Sequence, residues 1–374
     1  MNCPKCNSPV TGDPPPPFCA SCGSPLPRQT AADPLIGRQL HGKYKIVQLL
    51  GEGGMGSVYL GEQTLGTTVR KVAIKTLHAH LSRDESIKER FSREVGTLAG
   101  LEHPNTVGVY DFGTTDDGLL FIAMEFVQGK PLADLIDQGG PIAPDRVKKI
   151  VAQIGGSLAE AHGQGIIHRD LKPDNVIITD RAGQKDFVKV LDFGIASRSG
   201  EATKNEKKLT QQGMVLGTPP YMSPEQFTGQ ALDPRSDIYS LGIMAYEMLT
   251  GKLPFEAASA FEWATLHMTA QPKPIEANPN GAALPESMRG AIMKALSKAP
   301  DQRFPTMSAF VDAFTGKVGT NAQPAAPAPQ PSSPAFSAPA PATTPDPPGG
   351  RVKTQMGEPL DFGPGGPPGG GFGT

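Results

Sequence analysis

Apolar residues are confined to one central stretch of this 374-residue chain, and this confinement limits what the chain can fold into. Residues from about 38 to 315 carry nearly all of its Val, Ile, Leu, Met and Phe. A stretch of roughly 280 residues can bury about three quarters of its extended surface, so it is predicted to fold without help. Residues 315–374 hold 14 of the 39 prolines and little that could be buried, so a disordered Pro/Ala/Gly-rich tail is expected there.

The pattern within the central stretch changes from strand-like to helical. Over residues 44–128, short segments rich in β-branched residues alternate with glycine-containing turns, which is typical of antiparallel strands. One helix is predicted among them near residues 84–101, because apolar residues recur there at spacings of three and four. Helical periodicity dominates after Gly140, and residues 238–248 are apolar enough for a helix buried on nearly all sides. The predicted fold class is therefore α+β, with a small antiparallel β lobe followed by a large helical lobe.

Charge balance and the lack of long apolar runs exclude several classes of protein. Lys and Arg number 35 against 37 Asp and Glu, and this balance argues against nucleic acid as the main partner. No run of about 20 apolar residues is present, so no membrane span is expected. The first residues lack the basic and then apolar pattern of a secretion signal. We therefore expect a soluble, cytoplasmic protein.

All four cysteines stand near the N-terminus, as two C-x-x-C pairs separated by twelve residues. They are Cys3, Cys6, Cys19 and Cys22. Turns of this kind can direct two thiolates at one ion, and two such pairs complete a tetrahedral structural zinc site. The pattern resembles the zinc-ribbon modules that begin many bacterial proteins, which predicts a ribbon over residues 1–27 and a linker over residues 28–43. Redox-active or unligated pairs in an unstructured leader remain the alternative.

A glycine-rich segment opens the small lobe with the spacing G-x-G-x-x-G. Its glycines are Gly51, Gly53, Gly54 and Gly56. A dinucleotide-binding fold would need a helix to begin at the last glycine, but strand-like residues 58–60 follow, so a hairpin lying over phosphates is the better interpretation. Lys75 stands nineteen residues after Gly56, between apolar strand residues, where it could point inward to α- and β-phosphates. A surface lysine at a strand edge is the equal alternative.

A second group of motifs fits the chemistry of phosphoryl transfer. The string from His168 to Asn175 reads His-Arg-Asp-Leu-Lys-Pro-Asp-Asn, and an Asp-Phe-Gly triplet begins at Asp192, seventeen residues after Asn175. Phosphoryl transfer asks for positioning and charge neutralisation more than for covalent chemistry. Asp170 can accept a hydroxyl proton, and Lys172 can steady a γ-phosphate. Asn175 and Asp192 offer the oxygen ligands that Mg²⁺ takes beside phosphates.

Together these motifs resemble those of the bacterial Hanks-type protein kinases, which are similar to eukaryotic Ser/Thr kinases. The resemblance covers about Tyr44 to Phe314, with a predicted N-lobe over 44–128 and a C-lobe over 129–314. It implies a bilobal protein-kinase fold that uses ATP with Mg²⁺ or Mn²⁺. It also implies transfer of the γ-phosphate to Ser and Thr hydroxyls of protein substrates.

The resemblance assigns roles to further residues of the small lobe. It makes Glu94, on the predicted 84–101 helix, the ion-pair partner of Lys75. It makes Met124 the gatekeeper, and the hinge that binds adenine through its backbone runs from Glu125 to Val127. The residues implied to cover the adenine are Leu50, Val58 and Ala73.

The segment between Asp192 and residue 223 resembles an activation loop that is regulated by phosphorylation. A phosphate adds about −1.5 to −2 charges and could pair with Arg169, which directly precedes the catalytic aspartate. By the resemblance, the chain phosphorylates this loop itself, with Thr210 as the favoured site. The other candidates are Thr203 and Ser199.

Other residues are expected to act structurally or in substrate choice. By the resemblance, Thr218 contacts the catalytic Asp and Lys and indicates Ser/Thr specificity. Glu225 and Arg303 would form a buried ion pair, and Asp237 would brace the backbone of the catalytic loop. A second Asp-Phe-Gly triplet, residues 111–113, precedes a turn sequence and is assigned to a hairpin turn.

Two functions from different classes remain open from the sequence. The first is an active Ser/Thr kinase. The second is a pseudokinase scaffold that uses the fold only to bind partners. A pseudokinase commonly lacks a catalytic or metal-binding residue, whereas all four are present here, which favours activity. These four are Lys75, Asp170, Asn175 and Asp192. A homodimer through the N-lobe is expected by family analogy only.

Overall fold

A computed structural model describes residues 8–9, 21, 33–53, 56–77, 85–193 and 218–317. The side chains of residues 85–87 and 90 are not among those described. Several predictions therefore fall outside the described residues: the four-cysteine ribbon, the tail beyond residue 317, Gly54, and the loop candidates. The loop candidates are Ser199, Thr203 and Thr210.

The small lobe is built on a six-stranded antiparallel sheet with the strand order β1-β2-β3-β4-β6-β5. The strands are β1 (Gln39–Leu40), β2 (Tyr44–Gly53), β3 (Gly56–Leu65), β4 (Thr68–Leu77), β5 (Val109–Thr114) and β6 (Leu120–Glu125). One helix, α1 (Glu85–Leu98), lies between β4 and β5 in the chain. The predicted antiparallel lobe with a single interrupting helix is confirmed, with α1 three residues shorter at its C-terminal end than expected.

The two faces of this sheet serve different purposes. One face carries a compact apolar core that includes Tyr59 and Ile74, both at most 3% exposed. On the other face the strand register sets Val58 opposite Lys75 and Ala73 opposite Met124. Directly opposed residues, and residues two apart along a strand, share a face. The register therefore brings the predicted adenine and phosphate residues of three strands onto one surface.

The second Asp-Phe-Gly triplet lies in β5 and not in a hairpin turn, so that prediction is wrong. Asp111 accepts a hydrogen bond of 3.1 Å from the hydroxyl of Tyr44, and the ring of Phe112 packs edge-on against Phe91 of α1. The turn itself forms three residues later, where the N–H of Gly118 donates to the carbonyl of Thr115. Apolar contact with α1 and pairing with β6 extend the strand through the triplet.

Residues 28–43 were predicted as a linker, and the structure corrects this from Asp33 onward. The N–H of Gly37 donates to the carbonyl of Ile46 (2.8 Å), and Gln39–Leu40 pair with β2 as an edge strand. Leu40 is fully buried in the core of the small lobe. The sequence analysis missed this because a two-residue strand in a polar segment leaves no periodic pattern.

The large lobe is predominantly helical, as predicted. Its helices are α2 (Leu132–Gly139), α3 (Pro144–Gly163), α4 (Pro224–Thr228), α5 (Pro234–Thr250), α6 (Ala260–Thr269), α7 (Glu286–Ala295) and α8 (Met307–Thr315). A small sheet of β7 (Lys130–Pro131), β8 (Val176–Arg181) and β9 (Gln184–Val190) lies at the end of the lobe that carries the site. Helix α5 is buried along almost its whole length, which confirms the apolar helix expected over 238–248.

Candidate active site

The loop before β8 gathers two predicted catalytic side chains, Asp170 and Lys172, and the predicted metal ligand Asn175. The amide nitrogen Nδ2 of Asn175 donates to the backbone carbonyl of Asp170 at 2.8 Å, and to its carboxylate at 3.3 Å. The ammonium of Lys172 lies 3.2 Å from the same carboxylate. Asp170 is thus held between an amide and a cation, while 37% of its side chain stays accessible. The sequence string predicted this grouping.

Lys172 also connects this loop to the segment that follows the predicted activation loop. Its ammonium donates a 2.7 Å hydrogen bond to the hydroxyl of Thr218, at the start of the 3₁₀ helix Pro219–Tyr221. The predicted contact of Thr218 with the lysine is therefore present. The hydroxyl of Thr218 and the carboxylate of Asp170 therefore contact the same ammonium, and Lys172 links the catalytic loop to the segment that begins at Thr218.

Asp237, near the start of α5, holds the backbone of the catalytic loop. Its carboxylate accepts from the N–H of His168 (2.8 Å) and of Arg169 (3.0 Å), and it also bonds to the Nε2 of His162 (2.7 Å). Arg169 has a positive φ of 70°, an uncommon conformation for a side-chain-bearing residue. Burial opposes ionisation of Asp237, but the bond from His162 and the nearby donors outweigh it and lower the pKa of Asp237. The predicted bracing role is confirmed.

Asp192 follows β9 and lies beneath the small lobe. Its φ is 51°, again in the left-handed region, and its carboxylate binds the ammonium of Lys75 at 2.8 Å. Burial disfavours the charged form of Asp192, but the charge of Lys75 prevails and its pKa lies below the ordinary value. The following residue, Phe193, is buried against the ring of His168, with centroids 4.8 Å apart. The Nε2 of His168 in turn donates to the carbonyl of Leu191 (2.8 Å), which fixes the approach to Asp192.

The predicted ion pair between Lys75 and Glu94 is not formed in this arrangement. Lys75 pairs with Asp192, whereas Glu94 lies half-buried on α1. The strand that leads to Asp192 is bonded to the residues just before β5, since the N–H of Val107 donates to the carbonyl of Val190 (3.0 Å). The carboxylate of Asp192, two residues later, takes the contact with Lys75 that was expected for Glu94.

The glycine-rich hairpin is the turn between β2 and β3, as predicted. Gly56 is required by close approach: a Cβ there would lie 1.8 Å from the carbonyl oxygen of Thr76. Gly51 has open space, and a Cβ at Gly53 would meet its nearest atom at 3.8 Å. Leu50 remains 46% exposed on this hairpin.

Sequence reasoning missed Lys189, which fixes the predicted hinge. Its ammonium is almost fully buried, binds the carboxylate of Glu125 at 2.6 Å, and donates to the carbonyl of Thr106 at 3.0 Å. The backbone N–H of Glu125 donates to the carbonyl of Gly108 (2.8 Å). The side chain of Glu125 is therefore turned toward Lys189. The sequence signal that could have revealed this contact is a charged residue, Lys189, between two valines of a buried strand shortly before Asp192.

The described residues contain no cluster of three or more His, Cys, Asp or Glu side chains arranged to hold a metal ion. Of the two predicted metal ligands, Asp192 offers a carboxylate and Asn175 a side-chain amide. Both Nδ2 contacts of Asn175 go to Asp170, so its oxygen is the atom free to face a ligand. The chemistry of this pair suits a hard cation that completes its shell with phosphate oxygens.

The buried ion pair expected behind the site is present. Arg303 binds both carboxylate oxygens of Glu225 at 2.7 and 2.8 Å, and the hydroxyl of Ser236 donates to the same carboxylate at 2.7 Å. The guanidinium is fully buried. Burial opposes ionisation of Glu225, yet the bonds from Arg303 prevail and lower its pKa.

Comparisons with known proteins agree with this architecture. The family model for the protein kinase domain matches residues 44–315. The chain is 43% identical to serine/threonine-protein kinase pkn3 of Myxococcus xanthus over 283 residues, which covers 76% of this chain and 51% of that protein. It is 40% identical to serine/threonine-protein kinase PrkC of Bacillus subtilis over 273 residues, which covers 73% and 40% of the two chains.

The solved structure of the PknI kinase domain from Mycobacterium tuberculosis is also similar, with a TM-score of 0.57 and 29% identity. The matched structure is the C20A mutant of that domain, and the match covers 76% of this chain and 98% of the domain. The chain spans about half or less of the length of the two curated relatives. Within the described residues, none of the helices has the length and apolar character needed to cross a membrane. The catalytic loop, the Asp192 loop and the match over residues 44–315 lead to one conclusion: the chain belongs to the protein kinase family.

Proposed function

We propose that the chain is an active serine/threonine protein kinase that transfers the γ-phosphate of ATP to hydroxyls of protein substrates. The observation that carries this proposal is the position of Asp170. Its carboxylate is accessible, lies 3.2 Å from the ammonium of Lys172, and is oriented by the amide of Asn175. A carboxylate in this setting can accept the proton of an incoming hydroxyl.

Lys172 and Thr218 are proposed to set the substrate end of the site. Lys172 places its positive charge 3.2 Å from Asp170, so it can stabilise the negative charge that spreads over a phosphoryl group in transfer. Its hydrogen bond to Thr218 fixes the ammonium. The same bond ties the loop to the segment after residue 217, where a protein substrate would dock.

Asn175 and Asp192 are proposed to hold Mg²⁺ or Mn²⁺. The donor set fits such an ion, since an amide oxygen and an ionised carboxylate are both hard oxygen ligands. When bound, the ion neutralises charge on the nucleotide phosphates. Asp192 is kept ionised by Lys75, so it is ready to act as a ligand at neutral pH.

Lys75 is proposed to bind the α- and β-phosphates of ATP. In the structure it is paired with Asp192, so binding requires Asp192 to turn to the metal ion and Lys75 to turn to the phosphates. Glu94 is proposed to orient the ammonium after this exchange, from its half-buried position on α1.

The adenine is proposed to lie on the surface formed by Val58, Ala73 and Met124, with Leu50 over it. The strand register supports this, since it places the first three on the same face as Lys75. The backbone of residues 125–127 would supply the hydrogen bonds to the base. The glycines of the hairpin would lie over the phosphates; they are Gly51, Gly53, Gly54 and Gly56.

The loop between residues 194 and 217 is proposed to be phosphorylated by the chain itself, with Thr210 favoured over Thr203 and Ser199. The support is the sequence pattern and the position of Arg169 beside the catalytic aspartate. A phosphate in the loop could form charge-assisted hydrogen bonds with this guanidinium and order the loop. Phosphosite mapping of protein incubated with ATP tests the assignment.

Transfer of phosphate from ATP in the presence of Mg²⁺ tests the main proposal. Wild-type protein should phosphorylate itself and a Ser/Thr-containing protein, and Asp170→Asn should reduce the rate by at least about 100-fold, the usual size of a general-base effect. Asp180→Asn, an exposed carboxylate at the end of β8, is the matched control and should retain the wild-type rate. Equal incorporation by wild type and Asp170→Asn would refute the role of Asp170. Nucleotide binding without any transfer would favour the pseudokinase scaffold.

We also propose that Cys3, Cys6, Cys19 and Cys22 hold one structural zinc ion. The support is their spacing in the sequence, since two C-x-x-C pairs supply four thiolates. A four-thiolate site leaves no open position, so the ion would act in folding of this segment. Metal analysis after purification under reducing conditions should find one zinc per chain, and none after all four are changed to Ser.

Protein substrates that carry Ser or Thr are the proposed partners, together with a second copy of the chain bound through the N-lobe. The homodimer is supported by family analogy alone. Sedimentation of the full chain across a range of concentrations tests it. A cytoplasmic location remains a prediction from the sequence.

A further inference from the structure

A segment that precedes the family match is hydrogen-bonded to the first strand of the glycine-rich hairpin. We name residues 33–41 the clasp; the kinase match begins at residue 44. The N–H of Gly37 donates to the carbonyl of Ile46 at 2.8 Å, and the N–H of Ile46 donates to the carbonyl of Arg38 at 2.9 Å. Both backbone groups of one β2 residue are therefore bonded to the clasp.

The clasp also reaches the second strand of the hairpin. The hydroxyl of Tyr59, on β3, donates a 2.9 Å hydrogen bond to the carboxylate of Asp33. The other oxygen of Asp33 accepts from the N–H of Leu35 at 2.9 Å, which holds the carboxylate in place. Leu35 packs against the core that contains the ring of Tyr59. One short segment thus binds β2 at Ile46 and β3 at Tyr59.

The other end of the clasp is fixed to the far side of the same sheet. The guanidinium of Arg38 forms a two-point ion pair with the carboxylate of Asp117, in the turn between β5 and β6. The Nε2 of His41 donates to the carbonyl of Thr114 at 3.0 Å, and its ring packs edge-on against Phe121. The clasp therefore joins the hairpin to the opposite side of the sheet.

The clasp contacts the hairpin next to the positions where β2 and β3 depart from regular pairing. The register between β2 and β3 shifts after Ile46 and again after Leu49. Such irregularities bend and twist a strand pair locally. Beyond them lies the tip with Gly51 and Val58, and Val58 faces Lys75 across β3 and β4. The direction in which the tip projects is set at the point that the clasp holds.

We infer that the clasp positions the glycine-rich hairpin over the nucleotide, with Asp33 acting through Tyr59. This inference rests on the proposed function, because it concerns the affinity of the same cleft for ATP. Asp33 and Tyr59 touch no reacting atom, so both are positioning residues. Loss of their bond separates the clasp from β3, and the hairpin then spends less time closed over the phosphates.

The test measures binding of Mg·ATP to the full-length protein by calorimetry, without any phosphoryl transfer. Tyr59→Phe removes only the hydroxyl that donates, and Asp33→Ala removes the carboxylate that accepts. Each should weaken binding measurably, by at most about tenfold, because the loss of affinity cannot exceed the worth of the broken hydrogen bond. The double variant should be no weaker than the worse single variant, since both changes break the same bond.

Tyr44→Phe is the matched control, because the hydroxyl of Tyr44 also donates to a carboxylate, that of Asp111, in the same core. This bond joins β2 to β5 and does not involve the clasp. The control should lower thermal stability as much as Tyr59→Phe does, yet leave the affinity for Mg·ATP unchanged. Equal affinity in all variants, or equal weakening by Tyr44→Phe and Tyr59→Phe, would overturn the inference. If wild type binds no nucleotide, the proposed function fails instead.

Discussion

The ammonium of Lys75 and the carboxylate of Asp192 lie 2.8 Å apart and form an ion pair between the two lobes. Lys75 belongs to β4 of the small lobe, and Asp192 to the loop after β9 of the large lobe. The pair holds Asp192 ionised, because the charge of Lys75 outweighs the effect of burial on its pKa. The same two groups are proposed to separate when nucleotide binds, each to a partner of opposite charge.

Lys75→Met is expected to reduce phosphoryl transfer by about 10²- to 10³-fold, the size found when one preorganised charge or donor is removed from an active site. The variant loses the cation proposed to hold the α- and β-phosphates. It also leaves Asp192 buried without its partner, so the pKa of Asp192 should rise. Initial rates of transfer with saturating ATP measure the effect.

Lys71→Met is the matched control for this prediction. Lys71 lies on the same strand, four residues earlier, and its side chain is exposed. The substitution should leave the transfer rate within about twofold of wild type, because a surface change away from any special contact has little effect. A comparable loss in both variants would mean that general damage to β4, and not the loss of a charge in the cleft, explains the result.

The sequence predicted those parts of the site that are contiguous in the chain or fixed by the chemistry of a motif. Asp170, Lys172 and Asn175 stand within six residues of one another, so a single loop must bring them together. The ion pair of Glu225 with Arg303 was also anticipated, because the family resemblance implies it.

Contacts that depend on tertiary placement could not be predicted. Lys75 pairs with Asp192 of the other lobe, and this placement of the two lobes is not encoded in a local residue pattern. The clasp was taken for a linker, since its bonds to Ile46 and Tyr59 come from backbone groups and one carboxylate. Lys189 lies in an apolar strand, and only the fold reveals that Glu125 meets it there.

Arg303→Met is expected to lower the free energy of unfolding by about 3–5 kcal/mol, because it leaves the carboxylate of Glu225 buried without its cation. Arg303 also donates to the carbonyls of Ser297, Lys298 and Arg235, so these groups lose a donor as well. Urea unfolding at neutral pH measures the loss.

Arg289→Met provides the comparison. Its guanidinium bonds to Glu276 at 3.2 Å in a pair that is partly open to solvent, with 27% and 43% of the side chains exposed. Exposed pairs contribute about 0–1 kcal/mol, so this variant should be close to wild type. A similar loss of unfolding free energy in the two variants would show that burial does not make the Glu225–Arg303 pair more important for stability than an exposed pair.

Glu247 should make stability depend on pH between about 4.5 and 7. Burial raises its pKa to about 7, the charges of Asp137 and Asp174 add to this, and the bond from Tyr221 opposes it. In this range the folded chain binds a proton that the unfolded chain does not, so stability falls as pH rises and levels off above pH 7. The contribution is of order 1 kcal/mol after allowance for solvent.

Urea unfolding at pH 5.5 and pH 8 measures this dependence. Glu247→Gln should remove part of the difference between the two conditions, because the amide can still accept from Tyr221 but does not titrate. Glu286→Gln, at the exposed start of α7, should preserve the wild-type difference. If Glu247→Gln shows the full wild-type difference, another group is responsible.

Gly56→Ala should destabilise the small lobe by about 1–3 kcal/mol, the usual cost of forcing an extra methyl group into packed surroundings. The new Cβ would lie 1.8 Å from the carbonyl oxygen of Thr76 and 2.9 Å from its carbon, so β3 and β4 must move apart. Gly51→Ala has no heavy atom within 4 Å of the added carbon and should leave the free energy of unfolding nearly unchanged or slightly higher. Urea unfolding of both variants and of wild type measures the free energies of unfolding. Equal free energies for the two variants would show that β3 and β4 can move apart at Gly56 without loss of stability.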